Sequence, residues 1–198
     1  RDRPNALQTQ NYVWTIPRTP EWNEQGTEIP LLGDTGFSIG GIPTYGPNEA
    51  AMPDPFGDPV ANDILDWCVG HTGAGGAYHY HALDEACLEQ TAEGPSAILG
   101  FALDGYPIMG PRGCLDEACA TVVTFESGWN AINTGMVGCT NDTECASGMT
   151  CALARIDGVV QNACVSMTYA WDNNIYEESD SPTVLDRCNG RIGPDGIY

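Results

Sequence analysis

Apolar and polar positions alternate along several short segments of this chain, and glycine and proline separate one segment from the next. Residues 11–17 alternate and predict a strand that ends at Pro17. The more apolar face of this predicted strand carries Tyr12, Trp14 and Ile16. The 24 glycines and 14 prolines predict many turns and short strands rather than long helices. The pattern therefore predicts a mostly β protein.

One alternating segment occurs twice. Residues 36–47 align with residues 100–111, and both begin with Gly-Phe and end with Gly-Pro. The first copy leads into Gly40-Gly41 and the second into Asp104-Gly105, which are pairs that accept positive φ. Each copy is therefore predicted to turn back on itself as a β-hairpin.

A second segment repeats as well. Residues 65–78 align with residues 185–198, with Leu, Asp, Cys, three Gly and Tyr in register. The second segment begins 18 positions after the first segment ends in the first copy (47 to 65) and 74 positions after it in the second copy (111 to 185), so the second copy has gained 74 − 18 = 56 residues. We interpret the chain as a single compact β domain, residues 1–111 and 182–198, that is formed from a duplicated hairpin unit. A small Cys-rich insertion, residues 112–181, interrupts it.

Nine cysteines in 198 residues favour an oxidising compartment. Four of them lie at the centre of the insertion, separated by five, five and twelve residues, which does not match the paired spacing of zinc sites. We interpret the insertion as a disulfide-stapled module whose connectivity the spacing leaves open. Cys68 and Cys87 flank the histidines and are expected to close that segment as a loop. The eight disulfide candidates are Cys68, Cys87, Cys114, Cys119, Cys139, Cys145, Cys151 and Cys164.

The ninth cysteine, Cys188, is the repeat equivalent of Cys68, but the sequence ends before any equivalent of Cys87. We expect Cys188 to be unpaired or bonded to a cysteine on another chain. A continuing repeat would place His-Tyr-His directly after Tyr198. The sequence is therefore interpreted as ending within a motif.

The formal charge of −20 comes from 27 acidic residues against seven arginines. Such a surface repels nucleic acid and anionic membranes and attracts cations, so no nucleic-acid partner is predicted. No apolar run approaches the roughly 20 residues of a membrane span. Together with the cysteines, this predicts a secreted, extracellular or cell-surface protein. Asn141 begins a glycosylation sequon, which makes the protein a candidate glycoprotein.

All three histidines lie within residues 71–81. If Tyr78-His79-Tyr80-His81 is a strand, His79 and His81 share one face, and His71 can join them across the glycine-rich turn. Clustered imidazoles are typical ligands of copper and zinc. Further candidates for a ligand, or for an acceptor that fixes the histidine tautomers, are Asp66, Asp84 and Glu85.

The motifs also carry a resemblance. The segment Tyr78–His81 follows a Leu-Asp-x-Cys-x-Gly-His segment (65–71), and it is accompanied by residues 104–111 and by Leu-Asp-x-Cys-Asn-Gly-Arg (185–191). Over residues 5–111 and 182–198 the chain resembles the YHYH-domain family. The resemblance implies an extracellular, mostly β domain in which metal binding is expected, and a second YHYH segment after the last of these motifs.

The sequence predicts an extracellular protein that binds copper or zinc through His71, His79 and His81. Catalysis is not favoured, because the chain contains no G-x-S-x-G, H-E-x-x-H or phosphate-binding fingerprint. The alternative hypothesis is a structural subunit of an extracellular assembly, such as a surface layer, fibre or matrix, that self-associates without an obligatory metal.

The structural alternative makes a prediction about size. A subunit of such an assembly should form dimers or larger species as its concentration rises, because its neighbours cover part of its surface. Light scattering across a concentration series measures this, and a monomer at the highest concentration would contradict the structural hypothesis.

Overall fold

The computed structural model describes residues 5–29, 32–49, 59, 64–88, 93–131, 137–156, 159–166 and 174–198. Its described part is mostly β, as the alternating pattern predicts, and its helical elements there are the two single 3₁₀ turns Ala74–Gly76 and Asp142–Glu144. No helix in this described part is long and apolar enough to cross a membrane.

The chain folds into two compact units. The first contains Arg1–Gly46, Leu65–Gly128 and Glu178–Tyr198, and the second contains Pro47–Ile64 and Trp129–Glu177. These bounds differ from the domain and insertion proposed from the sequence: residues 47–64 fall in the second unit, and residues 112–128 fall in the first. The division proposed from the sequence remains a prediction, as does the origin of the domain by duplication.

The first unit is built on a six-stranded sheet with the order β3-β4-β2-β1-β5-β6. Neighbouring strands run antiparallel except β2 and β4, which are parallel. A separate antiparallel pair is formed by β7 and β8. The strands are β1 (Asp34–Ser38), β2 (Pro43–Tyr45), β3 (Gly70–Thr72), β4 (Tyr78–Tyr80), β5 (Ile98–Ala102), β6 (Pro107–Met109), β7 (Arg112–Cys114) and β8 (Val122–Thr124).

The first repeated segment forms a hairpin in both of its copies. Strands β1 and β2 turn at Gly41 (φ 77°), and β5 and β6 turn at the equivalent Gly105 (φ 94°). Matching backbone hydrogen bonds close the two turns: Ser38 N–H to Ile42 O at 2.8 Å, and Ala102 N–H to Tyr106 O at 2.9 Å. The two hairpins then pair with each other through β1 and β5, which makes the centre of the sheet.

The strand predicted over residues 11–17 is wrong, because this segment joins no β-ladder. Its side chains do alternate between half-buried and exposed positions, as the pattern requires. The segment is attached by side chains instead: the indole of Trp14 donates to Asp34 Oδ2 at 2.9 Å and stacks on Phe37 with ring centroids 4.7 Å apart. The alternating pattern therefore predicted correctly which side chains are half-buried, but it did not predict whether the backbone pairs with a neighbouring strand.

The second unit contains two separate two-stranded sheets and two disulfides. Strand β9 (Trp129–Ala131) pairs with β12 (Asn174–Tyr176), and β10 (Met149–Ile156) pairs with β11 (Val159–Ser166), both antiparallel. The two disulfides of this unit join Cys139 to Cys151 and Cys145 to Cys164. They select one of the three connectivities that the spacing left open.

The turn at the start of this disulfide-linked region is held by its own side chains. The side-chain amide of Asn141 donates to Glu144 Oε1 at 3.0 Å, and Asp142 Oδ1 accepts the N–H of Cys151 at 2.8 Å. Hydrogen bonds from Thr150 and Cys151 lower the pKa of Asp142. Asn141 is exposed in this turn, and its glycosylation remains a prediction.

In the first unit the disulfides are Cys68–Cys87 and Cys114–Cys119. Cys188 is exposed and belongs to no disulfide.

These pairings predict the thiol content of the protein. Unreduced protein, denatured to expose every side chain, should react with a thiol reagent at one cysteine per chain, Cys188. A Cys188→Ser variant is the control and should show no reaction. Two or more reactive thiols in the unmodified chain would contradict the four disulfides.

Candidate metal centre

The β3–β4 hairpin brings two of the histidines together. His71 and His79 are direct partners across the antiparallel pair, so their side chains lie on the same face. His81 follows β4 and returns to that face, and the three ring centroids are 4.5–5.3 Å apart. His71 and His79 are 4% and 1% exposed, whereas His81 is half-buried. The three imidazoles therefore form one cluster that is open to solvent mainly at His81.

Hydrogen bonding decides which nitrogen His81 presents. Its Nδ1 lies 2.9 Å from the carbonyl oxygen of Gly46, which can only accept, so Nδ1 carries the hydrogen. We therefore assign the Nε2–lone-pair tautomer to neutral His81. That Nε2 lies 3.3 Å from Nε2 of His71, and the ligand nitrogens of all three histidines lie within 4.8 Å of one another.

The donor set fits a metal ion. Two nitrogens bound at 2.0–2.1 Å to one ion with a tetrahedral angle between them lie about 3.3 Å apart. Neighbouring ligands of a square-planar ion lie nearer, at about 2.9 Å. The separation of 3.3 Å between Nε2 of His71 and Nε2 of His81 matches the tetrahedral value. Without a metal, the same separation suits an N–H···N bond between the rings, so a metal ion would take the place of that proton.

An aromatic ring borders the histidine cluster. Tyr45, the last residue of β2, stacks on His79 with centroids 3.9 Å apart and an interplanar angle of 19°, and its ring meets the edge of His81 at 6.4 Å. The parallel pairing of β2 with β4, at Thr44 and Tyr80, places it there. Sequence reasoning missed both Tyr45 and the carbonyl of Gly46, because nothing in the histidine spacing indicates that β2 lies beside β4.

The three carboxylates proposed as ligands or acceptors have other partners. Asp66 accepts hydrogen bonds from the hydroxyl of Tyr78 (2.8 and 3.0 Å). Asp84 Oδ1 accepts the N–H of Cys87 at 3.0 Å, and Glu85 forms an ion pair with Arg112 at 3.4 Å. The structure thus brings His71, His79 and His81 together and uses these carboxylates to hold the segments around them.

Tyr80 is a further oxygen donor near the hairpin. Burial raises the pKa of its phenol, and the negative charge of Asp66 raises it further. Tyr80 therefore stays protonated near neutral pH and does not offer an anionic ligand.

The second copy of the hairpin motif contains no histidine. Its position equivalent to His71 is Arg191, whose guanidinium lies 4.0 Å from the ring centre of Phe125 and donates to the carbonyl of Cys114 at 3.0 Å. Arg191 therefore packs this motif against β7. The first copy forms the histidine-bearing hairpin, whereas the second copy, residues 185–198, forms turns without a β-strand.

Fold and site together describe a mostly β, disulfide-linked protein with a compact cluster of three histidines. A family model described as "YHYH protein" matches residues 13–198, and the chain belongs to this family. The match spans the Cys-rich segment, which the sequence motifs alone had left outside the resemblance. No curated protein and no solved structure matches the chain.

The close approach of the two strands predicts that Gly70 cannot carry a side chain. A Cβ at this position would lie 2.5 Å from the Tyr78 hydroxyl and 2.7 Å from the carbonyl oxygen of His79. We expect Gly70→Ala to lower the free energy of unfolding by about 1–3 kcal/mol, measured by chemical denaturation.

Gly40→Ala is the matched control. Its added Cβ would meet only Ser38 Oγ, at 3.7 Å, which is an ordinary contact. We expect a change within about 0.5 kcal/mol. Equal effects of the two substitutions would contradict the close packing of β3 against β4.

Proposed function

We propose that this protein is an extracellular metal-binding protein that holds one zinc or copper ion through His71, His79 and His81. The observation that carries the proposal is the convergence of three imidazoles, with two Nε2 atoms 3.3 Å apart, at the centre of a short hairpin. Three neutral imidazoles form a soft to borderline donor set, which suits zinc and copper and disfavours calcium or magnesium.

The spacing of the nitrogens supports zinc as the preferred divalent ion. The 3.3 Å separation fits a tetrahedral arrangement, which zinc adopts in nearly all structural sites, whereas copper(II) favours square-planar or tetragonal ones. Three imidazoles leave the fourth position of the tetrahedron for an oxygen ligand, such as a carboxylate or water. We therefore expect zinc to fit His71 and His81 with less movement of these two rings than copper(II) requires.

The surroundings of the cluster support a site that is organised before the metal arrives. His81 is oriented by the carbonyl of Gly46, and His79 is covered by the ring of Tyr45. The disulfide between Cys68 and Cys87 joins the chain just before β3 to the segment that follows His81. Side chains that are already ordered lose little freedom on binding, so more of the interaction energy is available as affinity.

The surface charge both helps and complicates binding. A formal charge of −20 raises the concentration of cations around the protein. The same carboxylates bind divalent ions weakly and without selectivity. A test of the proposal must therefore separate the histidine site from this background.

The extracellular assignment rests on the cysteines. Four disulfides form in the structure, and proteins of the cytosol rarely keep disulfides because thiol reductants are abundant there. A secreted or cell-surface location supports the proposal further, since the histidine site would there meet free zinc or copper without competition from cytosolic thiols.

The proposal predicts metal uptake that depends on the histidines. Native protein loaded with zinc and then desalted should retain about one ion per chain. A His79→Ala/His81→Ala double variant should retain almost none, because one imidazole cannot hold the ion alone. Elemental analysis gives the stoichiometry, and titration calorimetry gives the affinity.

Asp104→Asn is the control for the acidic background. Asp104 lies in the turn between β5 and β6, at the opposite end of the sheet from the histidine hairpin. This variant removes one negative charge and should bind zinc like the native chain. Circular dichroism checks that each variant is folded, and a single His81→Ala variant serves if loss of the buried His79 ring prevents folding. Less than about a tenth of an ion in native protein would overturn the proposal.

A further inference from the structure

The histidine hairpin is closed from its other face by a single carboxylate. Asp66 Oδ1 accepts the N–H of Cys68 at 2.9 Å and the N–H of Gly70 at 3.2 Å. Both carboxylate oxygens also accept the hydroxyl of Tyr78. Asp66 therefore links the first residue of β3 to the first residue of β4.

These contacts lie beside the histidines without including them. Tyr78 precedes His79 in β4, so its side chain points to the opposite face of the sheet. Gly70 precedes His71 in β3. The linked residues are therefore the direct chain neighbours of two of the three imidazoles, and any shift of one strand along the other would move His71 relative to His79.

The link also depends on close packing. The phenol of Tyr78 lies against Gly70, where a residue with a side chain would have its Cβ. A Cβ at that position would be only 2.5 Å from the Tyr78 hydroxyl. The carboxylate of Asp66 accepts hydrogen bonds from three donors, all of them in or next to the hairpin. Asp66 is therefore not one of the proposed metal ligands, but it holds the two strands that carry His71 and His79.

The second copy of the motif makes the same link without histidines. Asp186 Oδ1 accepts the N–H of Cys188 at 2.8 Å and the N–H of Gly190 at 3.0 Å. The hydroxyl of Tyr198 donates to the same oxygen at 3.1 Å. The aspartate–tyrosine link thus forms where no imidazole is present, which means that it does not depend on metal ligands for its geometry.

We propose that Asp66 and Tyr78 are positioning residues of the metal centre. Their hydrogen bond holds β3 and β4 in the register that keeps His71 and His79 at ligand spacing, and neither residue touches the ion. The inference rests on the proposed function of metal binding. It extends that function by assigning the affinity of the site partly to a bond on the opposite face of the hairpin.

The test compares two tyrosines that make the same bond. Tyr78→Phe removes the link of the histidine hairpin, and Tyr198→Phe removes the equivalent link, to Asp186, in the second copy of the motif. Each variant of the full chain is titrated with zinc, and with cobalt(II) as a spectroscopic substitute whose d–d absorption reports the ligand geometry. The midpoint of chemical unfolding is measured for both variants in metal-free buffer.

We expect Tyr78→Phe to weaken zinc binding about 10-fold or more and to shift the cobalt(II) bands. Tyr198→Phe should leave the zinc affinity and the cobalt(II) spectrum unchanged, although both variants lower the unfolding midpoint. Native affinity and a native spectrum in Tyr78→Phe would overturn the inference. Equal weakening in the two variants would also overturn it, because the loss would then follow from general stability.

If Tyr78→Phe does not fold, Asp66→Asn replaces it. The asparagine keeps one oxygen that can accept the Tyr78 hydroxyl, so a smaller loss of zinc affinity is expected, and no loss would overturn the inference. Failure of the native chain to take up zinc would overturn the proposed function and the inference together. Native uptake with an unchanged Tyr78→Phe variant would overturn the inference alone.

Discussion

The candidate metal centre depends on the position of β4 between two different neighbours. Its antiparallel pairing with β3 sets His71 opposite His79, and its parallel pairing with β2 brings Tyr45 and the carbonyl of Gly46 against the same face. The rings of Tyr45 and His71 cover His79, which is 1% exposed. Burial excludes water from the rings and strengthens their interaction with an ion.

The two copies of the hairpin motif show how structural and binding roles are divided. In both copies an aspartate accepts two backbone N–H groups and a tyrosine hydroxyl, and a glycine leaves room for that phenol. The residue that follows this glycine differs: it is His71 in the first copy and Arg191 in the second. One local framework therefore supports a group of imidazoles in one place and a packing contact with Phe125 in the other.

The second unit relies on covalent links. Its described strands form two separate two-stranded sheets, and an isolated two-stranded sheet is marginally stable in water. Its disulfides close separations of 12 and 19 residues along the chain and restrict the unfolded ensemble. Both disulfides lie among buried residues, because Cys139 and Cys164 are 8% and 4% exposed.

The sequence by itself determined the β class, the hairpins at Gly41 and Gly105, and the presence of the three histidines on one short segment. These features follow from local chemistry, because a period of two, turn residues and short spacings act over a few residues. It did not determine that residues 11–17 lie outside the sheet, which cysteines of the second unit pair, or that Tyr45 covers His79. Only the tertiary structure decided these points, because each depends on segments far apart in the chain approaching one another, and a local pattern does not specify the partner.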